Sequence, residues 1–342
     1  MLQHDRPDPA FIRGLRPPPL AMSLPAPWAD VFAEAERLKS THLRALLQDQ
    51  ARNDAMFVGS GDMVLDYSRQ RVDAAAMEKL FALAAQADVE GKRRKMFQGE
   101  KLNETEGRSV LHVALRAPRD AVINSDGANI VPEVWGVLDA MKAFSEKVRS
   151  GECTGYTGKK LTDVVAIGIG GSYLGVEFVY EALRTDPEAS VAAEGRRVRF
   201  LANVDPIDVK RALEGLCAET TLVVIVSKTF TTAETMLNAR TVKEWLIKEL
   251  GSQDCIAKHV AACSTALDKT AAFGIDSKNV FGFWDWVGGR FSCWSAVGVL
   301  ALSLQYGFDL IMKFHEGGRD MDTHFRTAPP TENLPMIMGL LS

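Results

Sequence analysis

The sequence predicts an α/β fold in which a parallel sheet lies between helices on both faces, and three observations carry that expectation. Five short apolar runs, Val164–Ile169, Val198–Leu201, Leu222–Val226, His259–Cys263 and Val280–Trp284, are rich in β-branched or aromatic side chains and nearly continuous, as strands covered on both faces must be. Helical stretches at Gly175–Arg184, Ile207–Leu216, Ala233–Leu250 and Leu267–Phe273 separate them, and this alternation is what parallel pairing requires. The length, 342 residues, is ample for two domains and a large core.

The chain opens on a proline-rich segment. Seven of its 14 prolines fall in the first 28 residues, Pro17, Pro18 and Pro19 in a row, so residues 1–27 are expected to be a disordered tail. This segment lacks the apolar stretch of a signal peptide, and Asp5 and Asp8 count against an organelle transit peptide. Met22, just before the first amphipathic stretch, is the expected translation start. One helix is expected from about Trp28 to Ala51, followed from about residue 73 by helix, loop and helix. In the last of these, Val134, Val137, Leu138, Met141, Phe144 and Val148 recur every three or four residues and so share one face. The basic run Lys92-Arg93-Arg94-Lys95 reads as a solvated loop. At the other end Leu334–Ser342 reads as an apolar helix opening after Asn333, with no C-cap.

Composition narrows the function classes. Forty basic against 44 acidic side chains leave a formal charge of −4, without the basic excess that phosphate-backbone binding requires. Apolar residues at 46% and charged ones at 25% are those of a soluble globular protein, and no run approaches the roughly 18 apolar residues of a membrane span. Cys153, Cys217, Cys255, Cys263 and Cys293 are odd in number and form no CxxC pair, which reads as reduced thiols in a cytoplasmic protein. The six histidines form no HxxxH pair, so no metal site is expected.

Three motifs follow strands. Gly168-Ile169-Gly170-Gly171-Ser172 ends the first buried run and opens a helix, where glycines permit close approach and backbone N–H groups favour an anion. It departs from the dinucleotide fingerprint because Tyr173 stands at the third glycine position, which weighs against a nicotinamide-nucleotide domain. Ser227-Lys228-Thr229-Phe230-Thr231-Thr232 offers four hydroxyls and an ammonium at a strand's carboxyl end, where open α/β sheets bind ligands. Simple helix capping would need only one hydroxyl. In Trp284–Ser292, Gly288 and Gly289 precede Arg290, which can clamp a phosphate, stabilise a developing oxyanion, or pair structurally with a carboxylate. Trp284 and Trp286 read as core.

In this order and spacing the motifs resemble those of the glucose-6-phosphate isomerase family. The resemblance extends to Asn103–Arg108, Val110–Arg116, Ser150–Glu152, Gly155–Lys159, Ala202–Pro206 and Ser303–Phe308, and covers about residue 28 to Ser342. The wording of Thr232–Thr241 is similar to the plant cytosolic branch. The resemblance implies a sugar-isomerase (SIS) fold of two α/β domains, the first inserted in the second. Residues 28–139 would then be the helical start of the outer domain, 140–299 the inner phosphosugar-binding domain, and 300–342 the resumption of the outer one. It implies a homodimer that interconverts glucose 6-phosphate and fructose 6-phosphate through an enediol, without a cofactor.

Carried over, the family pattern implies that Gly171, Ser172, Ser227, Thr229 and Thr232 hold the sugar phosphate, with Lys228 nearby. Arg290, its loop shaped by Gly289, would face the enediolate, so that no metal is needed. Glu234 resembles the acidic partner of the family's ring-opening histidine. That histidine, the glutamate base and a late lysine match nothing here, and Tyr173 stands where the family commonly has Asp or Phe. The chain is therefore expected to be C-terminally truncated and, alone, inactive. The other reading is a non-catalytic phosphosugar-binding module.

Overall fold

The computed structural model describes residues 26–342. The expected tail and the Met22 start lie outside the described residues, except that Ala26 and Pro27 already belong to α1 (Ala26–Lys39). The single helix expected to Ala51 is broken. Thr41 turns back on the Leu38 carbonyl, His42 caps α2 (Leu43–Leu46), and Asp49 caps α3 (Gln50–Ala55). Ser40, Thr41 and Asp49 favour caps and turns over helix interiors, and here that preference outweighs amphipathic periodicity. Strands β1 (Phe57–Ser60) and β2 (Met63–Asp66) then form a hairpin around Gly61-Asp62. Helix α4 (Ala74–Gln86) starts at Asp73, whose carboxylate accepts the Ala76 N–H. The basic run 92–95 lies in α5 (Val89–Gln98) and not in a loop. Asp88 opens that helix, its carboxylate accepting the Gly91 N–H at 3.1 Å, and Arg93 donates to the Phe325 and Ala328 carbonyls at 2.9 and 3.2 Å.

The described chain divides into two compact units, residues 26–93 with 324–342, and residues 94–323. The second unit holds the sheet. A short hairpin, β3 (Asn124–Ser125) and β4 (Ala128–Asn129), leads into α6 (Val131–Ser150), with Pro132 in its first turn and Gly151 at φ 85° closing it. Then β5 (Asp163–Ile167), α7 (Gly171–Leu183), α8 (Pro187–Ala192), β6 (Arg197–Leu201), α9 (Pro206–Leu213), β7 (Thr221–Val226) and α10 (Ala233–Leu250) alternate as expected. They are followed by α11 (Ile256–His259), β8 (Val260–Cys263), α12 (Leu267–Phe273), β9 (Val280–Phe281), α13 (Ala296–Tyr306) and α14 (Phe308–Thr327). The expected domain limits 139/140 and 299/300 fall inside the uninterrupted helices α6 and α13.

The five strands lie in the order β6-β5-β7-β8-β9, every pairing parallel. Alternate residues face opposite layers. Val164, Ala166, Leu222 and Val224 join the cluster that includes Val134, Leu138 and Met141 of α6, Val176 and Val179 of α7, and α13. Val165, Ile167, Val223 and Ile225 join the one formed with Ala212 of α9 and Met236, Val242 and Leu246 of α10. This is an α/β sandwich with both faces covered. The fifth strand is shorter than the expected Val280–Trp284, because β8 ends at Cys263 and leaves only Val280 and Phe281 a partner. Helix α7 begins at Gly171, four residues before its expected start.

In the first unit, Met56, Tyr67, Met77 and Ile337 form a small core, with Ile337 on α15 (Leu334–Leu341). Asn333 caps α15 as expected, its carboxamide oxygen accepting the Met336 N–H at 3.1 Å. Among the described residues no helix is long and apolar enough to cross a membrane.

Candidate functional site

The strand order creates the site. From β5 the chain crosses to β6 on one side, then returns past β5 to build β7, β8 and β9 on the other, so the order reverses between β5 and β7. Loops leaving adjacent parallel strands at such a reversal diverge and open a crevice at the strands' carboxyl ends. The glycine loop 168–171 leaves β5 and the hydroxyl loop 227–232 leaves β7.

The glycine loop is compact because it must be. Gly170 takes φ 57° and ψ −121°, a conformation that side-chain-bearing residues rarely adopt, and N-caps α7. Gly171 meets the third motif: a β-carbon on it would lie 2.5 Å from the Gly289 carbonyl oxygen and 2.7 Å from the Arg290 nitrogen. The amides of this turn are not all available to an anion, since Ser172 N–H donates to the Ile169 carbonyl and Tyr173 N–H to that of Gly170. The Ser172 side chain lines the cavity.

The hydroxyl loop is pinned from beneath. Ser227 is buried and its N–H donates to the Cys263 carbonyl. The Lys228 carbonyl accepts three donors at 3.0 Å, the N–H and Oγ1 of Thr265 and the Oγ of Ser264. Phe230 has φ 53°, unusual for a bulky residue, and turns its ring inward to 5% exposure. Thr232 occupies the N-cap position of α10 but makes no side-chain cap bond; its Oγ1 accepts from Ser227 Oγ at 3.4 Å. Simple capping therefore does not explain the Thr232 hydroxyl. Thr229 is exposed, with its hydroxyl 2.6 Å from that of Thr231. Lys228 Nζ reaches across to the Trp284 carbonyl at 3.5 Å, and burial pulls its pKa down, with Arg108 acting the same way.

Together the loops border a cavity of about 470 Å³ in the second unit. Of the nine residues expected at the site, Ser172, Lys228 and Gly289 line it. Gly171 supports its wall through the contact with Gly289, and Ser227 through the bond to Thr232. The side chains of Thr229, Thr232, Glu234 and Arg290 are exposed and not part of the lining. Arg290 makes no ion pair among the described residues, so the structural pairing to a carboxylate is absent. Trp286 is buried and half-buried Trp284 stacks on it with ring centroids 4.9 Å apart, so both pack into the core, while Trp286 also lines the cavity.

Motif reading missed the opposite wall, built by Asn103, Glu106, Arg108 and His112. The Arg108 guanidinium reaches the Asp285 carbonyl at 3.5 Å, and His112 Nε2 accepts the Gly288 N–H at 2.7 Å. Burial, then the neighbouring Arg116 charge, holds the His112 pKa below its ordinary value, so the ring is neutral near pH 7. Arg108 and His112 lie 177 and 176 positions from the residues they touch, and only the resemblance of their segment could have drawn attention to them. Chemically the cavity offers hydroxyls and one ammonium on one side, and a guanidinium and an imidazole on the other, together with the carboxylates of Glu106 and Asp285.

A family model described as phosphoglucose isomerase matches residues 66–342. The chain is 59% identical over 315 residues to the cytosolic A glucose-6-phosphate isomerase of Oryza sativa subsp. japonica, covering 92% of this chain and 55% of that protein. It is 57% identical over 315 residues to the cytosolic glucose-6-phosphate isomerase of Arabidopsis thaliana, covering 92% and 56%. Among solved structures, a glucose-6-phosphate isomerase from Chlamydia trachomatis D/UW-3/Cx is similar with a TM-score of 0.74 at 27% identity, over 91% of this chain and 58% of that one. The chain thus spans a little over half the length of the curated relatives it matches.

Proposed function

The chain belongs to the phosphoglucose isomerase family, and from that premise we propose that its cavity binds glucose 6-phosphate and fructose 6-phosphate and serves their reversible interconversion. One observation carries the reading: the glycine and hydroxyl loops leave adjacent strands at the reversal of strand order, and the Arg290 loop packs against Gly171. On this reading Gly171, Ser172, Ser227, Thr229 and Thr232 hold the phosphate, and Lys228 adds its charge. Arg290 faces the enediolate formed as the proton moves from C2 to C1, where fixed positive charge lowers the barrier most. Glu234, exposed in the first turn of α10, orients a histidine that this sequence does not supply.

The resemblance assigns no base to any of the 342 residues, so the chain alone is proposed to bind without turnover. Residues 140–299 are proposed as the inner SIS domain, and the containment of all five strands within them supports that division. A homodimer in the cytosol is proposed likewise. The relatives' names support the compartment, and Leu174 and Phe178, 61% and 72% exposed one turn apart on α7, supply apolar surface that a second subunit could cover. Isothermal titration with 6-phosphogluconate and with unphosphorylated gluconate tests the site. Binding of the phosphorylated ligand only, weakened about ten-fold or more in Lys228→Met, is the expected result; equal binding of both, or of neither, overturns it.

A further inference from the structure

We propose that His112 is a positioning residue for Arg290, holding the Gly288-Gly289-Arg290 segment through the bond that its imidazole accepts from the Gly288 backbone. The inference rests on the role proposed above for Arg290, but the bond itself does not. Two successive glycines give the chain wide freedom just before the arginine, and Gly289 has open space where a side chain would be. Ordering such a segment costs entropy that something must offset. Two restraints act from opposite sides. Gly171 presses on the Gly289 carbonyl and Arg290 nitrogen, and His112 Nε2 takes the Gly288 N–H at 2.7 Å.

The histidine is itself fixed. It opens the short helical turn His112–Arg116, whose next three residues are buried, and its ring meets Phe291 edge-on with centroids 5.7 Å apart. Phe291 directly follows Arg290, so the ring touches the segment on both sides of the arginine. The chemistry requires a neutral imidazole with its proton on Nδ1, because an accepting Nε2 must keep its lone pair. Burial and the Arg116 charge favour that form. Arg116 cannot swing away, since its guanidinium is held by both oxygens of Asp322 at 2.7 Å.

The test uses the whole chain, labelled with 15N. A through-bond coupling between the Gly288 and His112 Nε2 nitrogens is expected, with amide exchange at Gly288 slowed. His112→Phe keeps a ring against Phe291 but accepts nothing, and should speed that exchange about ten-fold. His112→Gln restores an acceptor and should recover most of the protection. In a chain extended to the relatives' length, kcat should follow the same order across the three proteins, while 6-phosphogluconate affinity changes by less than about five-fold. Unchanged exchange in His112→Phe, or equal loss in His112→Gln, assigns the effect to ring packing and overturns the proposal. Should His112→Phe not fold, the coupling in the unaltered chain decides, its absence overturning the proposal. Intact coupling with no sugar-phosphate binding by the unaltered chain overturns the proposed function instead and leaves the anchoring supported.

Discussion

Gly171 and Gly289 meet backbone to backbone: a β-carbon on Gly171 would lie 2.5 Å from the Gly289 carbonyl oxygen, closer than real side chains come. That contact joins the turn after β5 to the loop that carries Arg290, and it depends on a missing methyl group. Gly171→Ala must push the loops apart, against backbone atoms that cannot rotate out of the way. Overpacking of this kind costs about 1–3 kcal/mol. The expected outcome is a lower urea midpoint together with sugar-phosphate affinity reduced about ten-fold or more. An alanine variant with unchanged binding would show that the two loops move independently.

Phe230 supports the hydroxyl loop by a different compromise. Its φ of 53° is unfavourable for a bulky residue, yet its ring is 5% exposed and meets Phe273 edge-on at 5.6 Å. Truncating a buried phenylalanine costs about 3–5 kcal/mol, whereas relieving a left-handed conformation returns about 1 kcal/mol. Phe230→Ala keeps the strain and loses the ring. Phe230→Gly loses the ring but also sheds the strain, because glycine adopts a positive φ freely. Denaturant unfolding is therefore expected to find the glycine variant at least as stable as the alanine one, reversing their order by size. A clearly less stable glycine variant would mean that the strain is not real.

The β5–β9 sheet was legible because runs such as Val164–Ile167 and Leu222–Val226 owe their burial to their own side chains. The same local logic placed the glycine and hydroxyl loops at strand ends. What escaped was whatever distant partners decide. The inward turn of Phe230 depends on Phe273, the anchoring of the Arg93 side chain on the Phe325 and Ala328 carbonyls, and the functional interest of His112 on Gly288. The hairpin at residues 57–66 is a different case. Its Gly61-Asp62 turn is a readable signal, but strands of four residues with mostly exposed side chains give a weak alternation. The break after α1 was also local, carried by Ser40, Thr41 and Asp49, and amphipathic periodicity masked it.

Buried histidines make stability depend on pH. His315 has its Nδ1 3.2 Å from the Leu115 carbonyl while Nε2 has no hydrogen-bond partner, and burial, reinforced by Arg116, lowers its pKa to about 4. His259 uses both nitrogens as a neutral ring, Nδ1 donating to the Thr221 carbonyl at 2.7 Å and Nε2 accepting from the Tyr156 amide at 2.8 Å. Burial lowers its pKa as well. The unfolded chain therefore takes up protons first, so this stability is complete above about pH 6.5 and is lost as pH falls toward the folded values. For His315 the loss between pH 6.5 and about 4 is about 3 kcal/mol. Urea midpoints should fall from pH 7.5 to 4.5, and less steeply in His315→Leu. Parallel slopes in the two proteins would remove His315 from the account.

On the proposed function, Lys228 and Arg290 are expected to divide ground-state from transition-state binding. Lys228 lines the cavity, partly desolvated, with its ammonium near the Trp284 carbonyl, and on the proposed function it attracts a phosphate that bears its charge throughout the reaction. Arg290 projects an exposed guanidinium from a glycine-rich turn and pairs with no carboxylate among the described residues, so on the proposed function its charge is left for the enediolate, an anion that the bound substrate lacks. Lys228→Met should weaken 6-phosphogluconate binding by about ten- to a hundred-fold, the range for a partly buried charged hydrogen bond. Arg290→Ala should weaken the same ligand by less than about five-fold, yet in a chain extended to the relatives' length it should lower kcat far more than it raises KM. Comparable losses of ground-state affinity in the two variants would assign both residues to the phosphate and leave the enediolate without its cation.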